Sequence, residues 1–188
     1  MNPIVVRNLK IGEGIPKICL PIVGHTQYEI TSQAMTIAAL RPDIVEFRAD
    51  WYDECVSDEH LMEMLRLIRK LVDMTPLLFT FRTSNEGGIQ EIEKDEYLRI
   101  NKVAIESGLV DMIDIELMIG DKEIKDLVKL AHKNDVIVLM SNHDFEKTPE
   151  KEVLVERMEK MIDLGADIPK VAVMPNSNRD VLRLLDLT

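Results

Sequence analysis

The chain has 188 residues, 46 % of them apolar and 30 % charged, enough for one domain with a real core and ordinary for a globular protein. A formal net charge of −11 argues against a nucleic-acid partner, because neutralising phosphates requires a surplus of Lys and Arg. No apolar run reaches the ~20 residues of a membrane span, so no membrane partner is expected.

The N-terminus, Met1-Asn2-Pro3-Ile4, has no basic stretch followed by an apolar one, and no signal peptide is expected. Residues 4–7, with the glycine-containing segment Ile11-Gly12-Glu13-Gly14, read as a small hairpin. The first long apolar run, residues 17–23, predicts a strand and contains Cys19, expected as a small core residue. The other cysteine is Cys55. The two show no metal-type pairing, and without a signal they point to the cytoplasm.

The second predicted strand, residues 43–49, contains Glu46 and Arg48, two apart and therefore on one face. They pair with each other as a structural salt bridge, or Arg48 holds a substrate carboxylate or hydroxyl through its planar fork. Leu61, Met64, Leu65, Ile68 and Leu71 then form a helical stripe. The third strand, residues 76–82, ends at Arg82 and runs into Thr83-Ser84-Asn85-Glu86-Gly87-Gly88. The paired glycines suggest a mobile loop, a close backbone approach or a plain turn.

Leu98, Val103 and Ile105 suggest a second helix, ended by Glu106-Ser107-Gly108. The fourth strand, residues 110–117, carries Asp114 and Glu116 on one face, where buried carboxylates need cationic partners. Ile124, Leu127, Val128 and Ala131 form a third helical stripe. Just past the fifth strand, residues 135–141, comes His143, structural or catalytic according to what surrounds it. Thr148 is expected to cap a helix that begins at Pro149 and stops at Leu164-Gly165. The sixth strand, residues 168–174, holds Lys170 inside an apolar run. Burial disfavours the ammonium form of a lysine, and a neutral amine can attack a ketone to form a Schiff base. Lys170 also suits neutralisation of Asp114 or Glu116; the two readings are compatible. Ser177, with Asp180 three residues on, opens the last helix.

Strands alternating with helices mean parallel pairing through right-handed crossovers. Successive strands begin about 30 residues apart, near the spacing of an eight-unit barrel. No glycine-rich turn follows the first strand, which disfavours a dinucleotide site. The expected architecture is therefore an α/β fold of the (β/α)8 TIM-barrel type: a single domain over residues 1–188, with the hairpin covering the barrel bottom. Only about six βα units are present, so two sheet edges are left unpaired. Ionisable residues cluster at the C-terminal strand ends, where barrel enzymes build their sites.

Together these motifs resemble the type I 3-dehydroquinate dehydratases. The resemblance rests on Glu46-Phe47-Arg48-Ala49-Asp50, on Thr80-Phe81-Arg82-Thr83 with Glu86-Gly87-Gly88, and on Asp114-Ile115-Glu116-Leu117. It continues through Ser141-Asn142-His143-Asp144-Phe145 with Thr148-Pro149, and Pro169-Lys170-Val171-Ala172-Val173-Met174-Pro175. It implies that Lys170 forms an imine with 3-dehydroquinate, that His143 moves the proton and that Glu86 orients His143. By the same resemblance Glu46, Arg48 and Arg82 position the substrate, and Asp114 and Glu116 balance charge around the lysine. It implies no metal or organic cofactor, a cytoplasmic enzyme and a homodimer. In the family, two further strands supply an arginine for the substrate carboxylate. Without them, weak or no turnover is expected unless another segment or chain completes the site. Two rival enzyme readings are another Schiff-base barrel enzyme, such as a class I aldolase, and a metal site built from Glu46, Asp114, Glu116 and His143. A third reading is an inactive fragment that is stable only through association at its edges.

Overall fold

The computed structural model describes residues 3–187; the N-terminal reading at Met1 and Asn2, and Thr188, lie outside the described residues. Strand β1 (Ile4–Val6) pairs antiparallel with β2 (Leu9–Ile11), so the hairpin turns at Arg7-Asn8. The glycine segment expected in that turn follows β2 instead. Arg7 has the left-handed φ of 52° at the turn.

Six βα units follow. They are β3 (Cys19–Ile22) and α1 (Gln27–Leu40), β4 (Ile44–Arg48) and α2 (Asp58–Val72), and β5 (Leu77–Thr80) and α3 (Lys94–Glu106). Then come β6 (Met112–Glu116) and α4 (Asp121–Lys133), β7 (Ile137–Asp144) and α5 (Lys151–Asp163), and β8 (Ile168–Val173) and α6 (Asn178–Leu187). The six strands are parallel, in the order β3-β4-β5-β6-β7-β8. Each lies beside its predecessor in sequence, with no reversal of order such as a doubly wound sheet requires. The result is an arc of barrel wall whose edges are β3 and β8.

Helix starts follow local chemistry. Thr26 and Glu29 form a reciprocal capping box on α1, a helix for which no apolar stripe stood out in the sequence. Ser57 caps α2, which buries Leu61, Met64, Leu65, Ile68 and Val72; Leu71 is only partly covered. On α3 the buried face is Tyr97, Ile100, Asn101, Ala104 and Ile105, with Leu98 and Val103 at its margin. Thr148 does not cap α5. Its hydroxyl donates to the Met174 carbonyl (3.0 Å), and the carbonyls of Thr148 and Pro149 accept from Arg183, so this segment ties β8 to α6. Helix α5 starts later, with Glu150 at the N-cap position.

Strand alternation produces two apolar layers. Val45, Phe47, Phe79, Ile113, Ile115, Val138 and Met140 face the helices. On the other face, Ile44, Leu78 and Met112 pack with Val6 of the hairpin, which closes the barrel floor. Cys19 is not a core residue: it is exposed on the edge strand, lining a cavity of about 350 Å³ above the hairpin. Cys55 is buried, and burial pushes its thiol up to about 11.

A repeated clamp sets the strand register. Asp43, just before β4, donates its backbone N–H to the Ile18 carbonyl and accepts the Ile18 N–H on its carboxylate (2.7 Å). Asp111 does the same with Leu77 (2.8 Å), and Asp167 with Val138 (2.7 Å). Each aspartate thus pins the start of the preceding strand. Asp111 carries more, because it also accepts from Arg7 and Arg69, each at 2.7 Å, and so anchors the hairpin. Asp111→Ala strands Arg69 half-buried, and is expected to lower stability by ~3 kcal/mol in urea denaturation. Asp43→Ala, which loses one backbone hydrogen bond, is expected to lower it by ~1 kcal/mol.

Candidate active site

The inner face changes character partway up the strands. Below, it is apolar; above, it presents Glu46 and Arg48 from β4, Thr80 and Arg82 from the end of β5, and Asp114 and Glu116 from β6. Ser141 and His143 from β7 and Lys170 from β8 complete this layer. Register brings them together. Glu116 lies opposite Ser141, Ser141 opposite Lys170, and His143 opposite Ala172. His143 lies within β7, which runs to Asp144, rather than beyond the strand as expected.

Arg82 is the centre of this layer and only 4 % exposed. Its guanidinium donates to Asp114 (2.8 Å), Glu116 (3.1 Å) and the Ser141 hydroxyl (2.8 Å). The Ser141 hydroxyl in turn donates to Asp114 (2.6 Å). Thr83 donates to Glu116 through both backbone N–H (2.8 Å) and hydroxyl (2.7 Å), and the Glu116 N–H donates to the Tyr97 hydroxyl (3.1 Å). Burial disfavours the Arg82 charge, but Asp114 and Glu116 outweigh it and hold the group above its ordinary value. Burial pushes the Glu116 carboxyl up, against the hydrogen bonds from Thr83 and the charge of Arg82.

Asp114 and Glu116 therefore balance Arg82, not Lys170 as expected. Lys170 is half-buried on the same face, and among the described residues no carboxylate lies within ion-pair distance of its ammonium. Glu46 and Arg48 do not pair with each other. Glu46 accepts from Thr80 (2.7 Å), while Arg48 makes a bidentate pair with the fully buried Asp50 (2.8 Å on both arms). This leaves one terminal nitrogen of Arg48 for another partner.

Glu86 reaches the layer from the loop after β5. The loop folds back on itself, and a Cβ at Gly88 would stand 1.8 Å from the Arg82 carbonyl, so a close backbone approach demands glycine there. Gly87 has φ 84° and carries the Phe145 ring against it. Glu86 is 4 % exposed and accepts from His143 twice, from the ring Nδ1 (2.9 Å) and the backbone N–H (3.1 Å). An ionised carboxylate only accepts, so Nδ1 carries the proton and Nε2 keeps its lone pair. The residues proposed for a metal do not converge: Glu46 is held by Thr80, Asp114 and Glu116 by Arg82, and His143 by Glu86.

Asp50, Ser141, Asn142, Thr80 and Thr83 were missed as site residues. Thr83 and Asn142 adjoin a motif residue, and Asp50, Thr80 and Ser141 lie two positions from one, but nothing in a local pattern says which hydroxyl or carboxylate turns inward. Arg82→Met leaves Asp114 and Glu116 buried without their cation and is expected to lower stability by ~3–5 kcal/mol at neutral pH. Removing the cation raises Glu116 further, so the folded state binds a proton that the unfolded chain releases. The loss should shrink as pH falls toward 5 and grow as it rises, read from urea midpoints across pH.

Residues 18–188 match the family model described as Type I 3-dehydroquinase. The 3-dehydroquinate dehydratase of Bacillus subtilis (strain 168) is 46 % identical over 188 residues, all of this chain and 74 % of that protein. That of Clostridium botulinum (strain Eklund 17B / Type B) is 50 % identical over 183 residues, 97 % of this chain and 72 % of the relative. The crystal structure of a type I 3-dehydroquinate dehydratase from Clostridium difficile, with covalently modified comenic acid, superposes with a TM-score of 0.98 at 45 % identity. It covers 100 % of this chain and 74 % of that one. With the polar layer at the strand ends and identities of this size, the chain belongs to the type I 3-dehydroquinase family.

Proposed function

We propose that the chain is a 3-dehydroquinate dehydratase, a hydro-lyase of the shikimate route to aromatic amino acids, working through an imine on Lys170. The observation that carries this reading is the pairing pattern of the inner layer. Arg82 occupies the carboxylates of Asp114 and Glu116, and among the described residues Lys170 is left without an ion-pair partner, one strand from a histidine whose Nδ1 is bound to Glu86.

The steps follow from these groups. The Lys170 amine adds to the ketone of 3-dehydroquinate and water leaves, forming a protonated imine that acidifies the adjacent carbon. Nε2 of His143 takes a proton from that carbon, and the electrons move into an enamine. The resulting imidazolium, stabilised by Glu86, returns the proton to the departing hydroxyl, which leaves as water. Hydrolysis of the imine releases 3-dehydroshikimate and restores the lysine, for a net loss of one water. Glu46, the remaining Arg48 nitrogen and Arg82 contact substrate oxygens. Asp114 and Glu116 act on Lys170 only through Arg82 and Ser141. We further propose one barrel domain in a cytoplasmic homodimer, consistent with two unpatterned cysteines and with the absence, among the described residues, of any helix long and apolar enough to cross a membrane.

Incubation with 3-dehydroquinate, borohydride reduction and intact mass spectrometry test the imine. The expected result is a covalent adduct that disappears in Lys170→Ala. A folded protein that yields no adduct refutes the reading. His143→Ala is expected to keep the adduct while slowing proton loss from the adjacent carbon by ~10²–10⁴-fold, measured as deuterium exchange into substrate.

A further inference from the structure

The outward-facing positions of β7 are Val138, Met140 and Asn142. The first two pack apolar against the helices, whereas Asn142 puts a buried amide, 5 % exposed, on the same face. Such a group is costly unless both of its ends are bonded. Both are: Nδ2 donates to Glu86 Oε1 (3.1 Å), and Oδ1 accepts from Arg157 on α5 (2.7 Å).

The chemistry of the two ends fixes the amide orientation. Reversed, it would set its oxygen against the Glu86 carboxylate and its NH2 against a guanidinium, two repulsive contacts in place of two attractive ones. Arg157 thus holds Asn142 with its donor toward Glu86. The two oxygens of Glu86 have different duties. Oε2 receives both His143 donors, with Arg82 at 3.6 Å, while Oε1 has Asn142 as its donor. Without Asn142, a buried carboxylate oxygen loses its hydrogen bond. The carboxylate is then free to rotate, and rotation ends its hold on the His143 ring.

We infer that Asn142 and Arg157 are positioning residues for His143, acting through Glu86 to keep its proton on Nδ1 and Nε2 open toward the site. Their relevance to dehydration rests on the function proposed above; their control of the imidazole does not. The chain of contacts runs from the surface of α5 through an amide and a carboxylate to a ring nitrogen.

The test reads the tautomer directly by 15N NMR of the histidine rings, at a pH where the His143 imidazole is neutral. The wild type is expected to show the Nδ1–H form, and Asn142→Ala to shift the ratio toward Nε2–H by at least ~10-fold. Arg157→Met is expected to shift it in the same direction, and Arg157→Lys, which keeps a donor to Asn142, to restore it. A folded Asn142→Ala with an unchanged tautomer overturns the inference. If Asn142→Ala does not fold, Arg157→Met decides: a shift supports the inference and an unchanged ratio overturns it. Should the protein form no imine with 3-dehydroquinate, the tautomer shift still stands and the proposed reaction alone fails.

Discussion

The buried guanidinium of Arg82 is the group on which the upper half of the barrel interior depends. It sits against both carboxylates of β6 and donates to Asp114, Glu116 and Ser141 at once. A carboxylate alone in this layer would be costly to bury, and two adjacent ones more so. With Arg82 between them they are held at fixed positions, and among the described residues the neighbouring Lys170 is not drawn into an ion pair. Anions still outnumber cations here. Glu46, Asp50, Glu86, Asp114 and Glu116 stand against Arg48, Arg82 and Lys170. A layer with that balance favours a further positive charge placed within it, because its fixed charges sum to a negative value.

The layer is polar but not loosely made. Thr80, Thr83, Ser141 and Tyr97 each place a hydroxyl on one of the charged groups or on the backbone beside it. Such a network rigidifies when every member is bonded and weakens sharply when one is missing. Its members come from β4, β6 and β7, from β5 and the residues just after it, and from α3, so their mutual distances are set largely by strand register rather than by any one segment. Slipping a strand by a single residue would turn its charged set into the apolar helix-facing layer. The aspartate clamps at the opposite ends of the strands oppose such a slip. Asp43, Asp111 and Asp167 each hold a peptide at or beside the start of the preceding strand, and the polar layer lies at the far end of the same strands.

Much of this was legible in the chain itself. Apolar runs of strand length, repeated about every 30 residues with amphipathic stretches between them, led to the alternating parallel fold. Charged residues interrupting those runs, Glu46, Asp114 and Lys170 among them, marked the polar inner layer, because strands of a parallel sheet otherwise read as nearly continuous apolar runs. The hairpin was visible, but its turn was misplaced, since a glycine-containing segment resembles a turn whether or not the strands reverse there. Thr148-Pro149 carried a strong helix-start pattern, yet Thr148 bonds to Met174 because β8 returns close beside it. Cys19 read as core because its neighbours are apolar; its position on the edge strand exposes it.

What the sequence determined by itself was the periodicity, hence the element types, their parallel order and which residues lie at the strand ends. These depend on local spacing. Only the tertiary structure decided the partners. Arg48 turns to Asp50 rather than Glu46, Arg82 rather than Lys170 takes Asp114 and Glu116, and Asn142 links Arg157 to Glu86. In sequence the oppositely charged partners are interchangeable, since any of them would satisfy the same charge, and nothing marks which neutral amide joins them. The choice among them is made by register and by the curvature of the sheet, which bring some side chains within hydrogen-bond reach of one another and hold the rest apart.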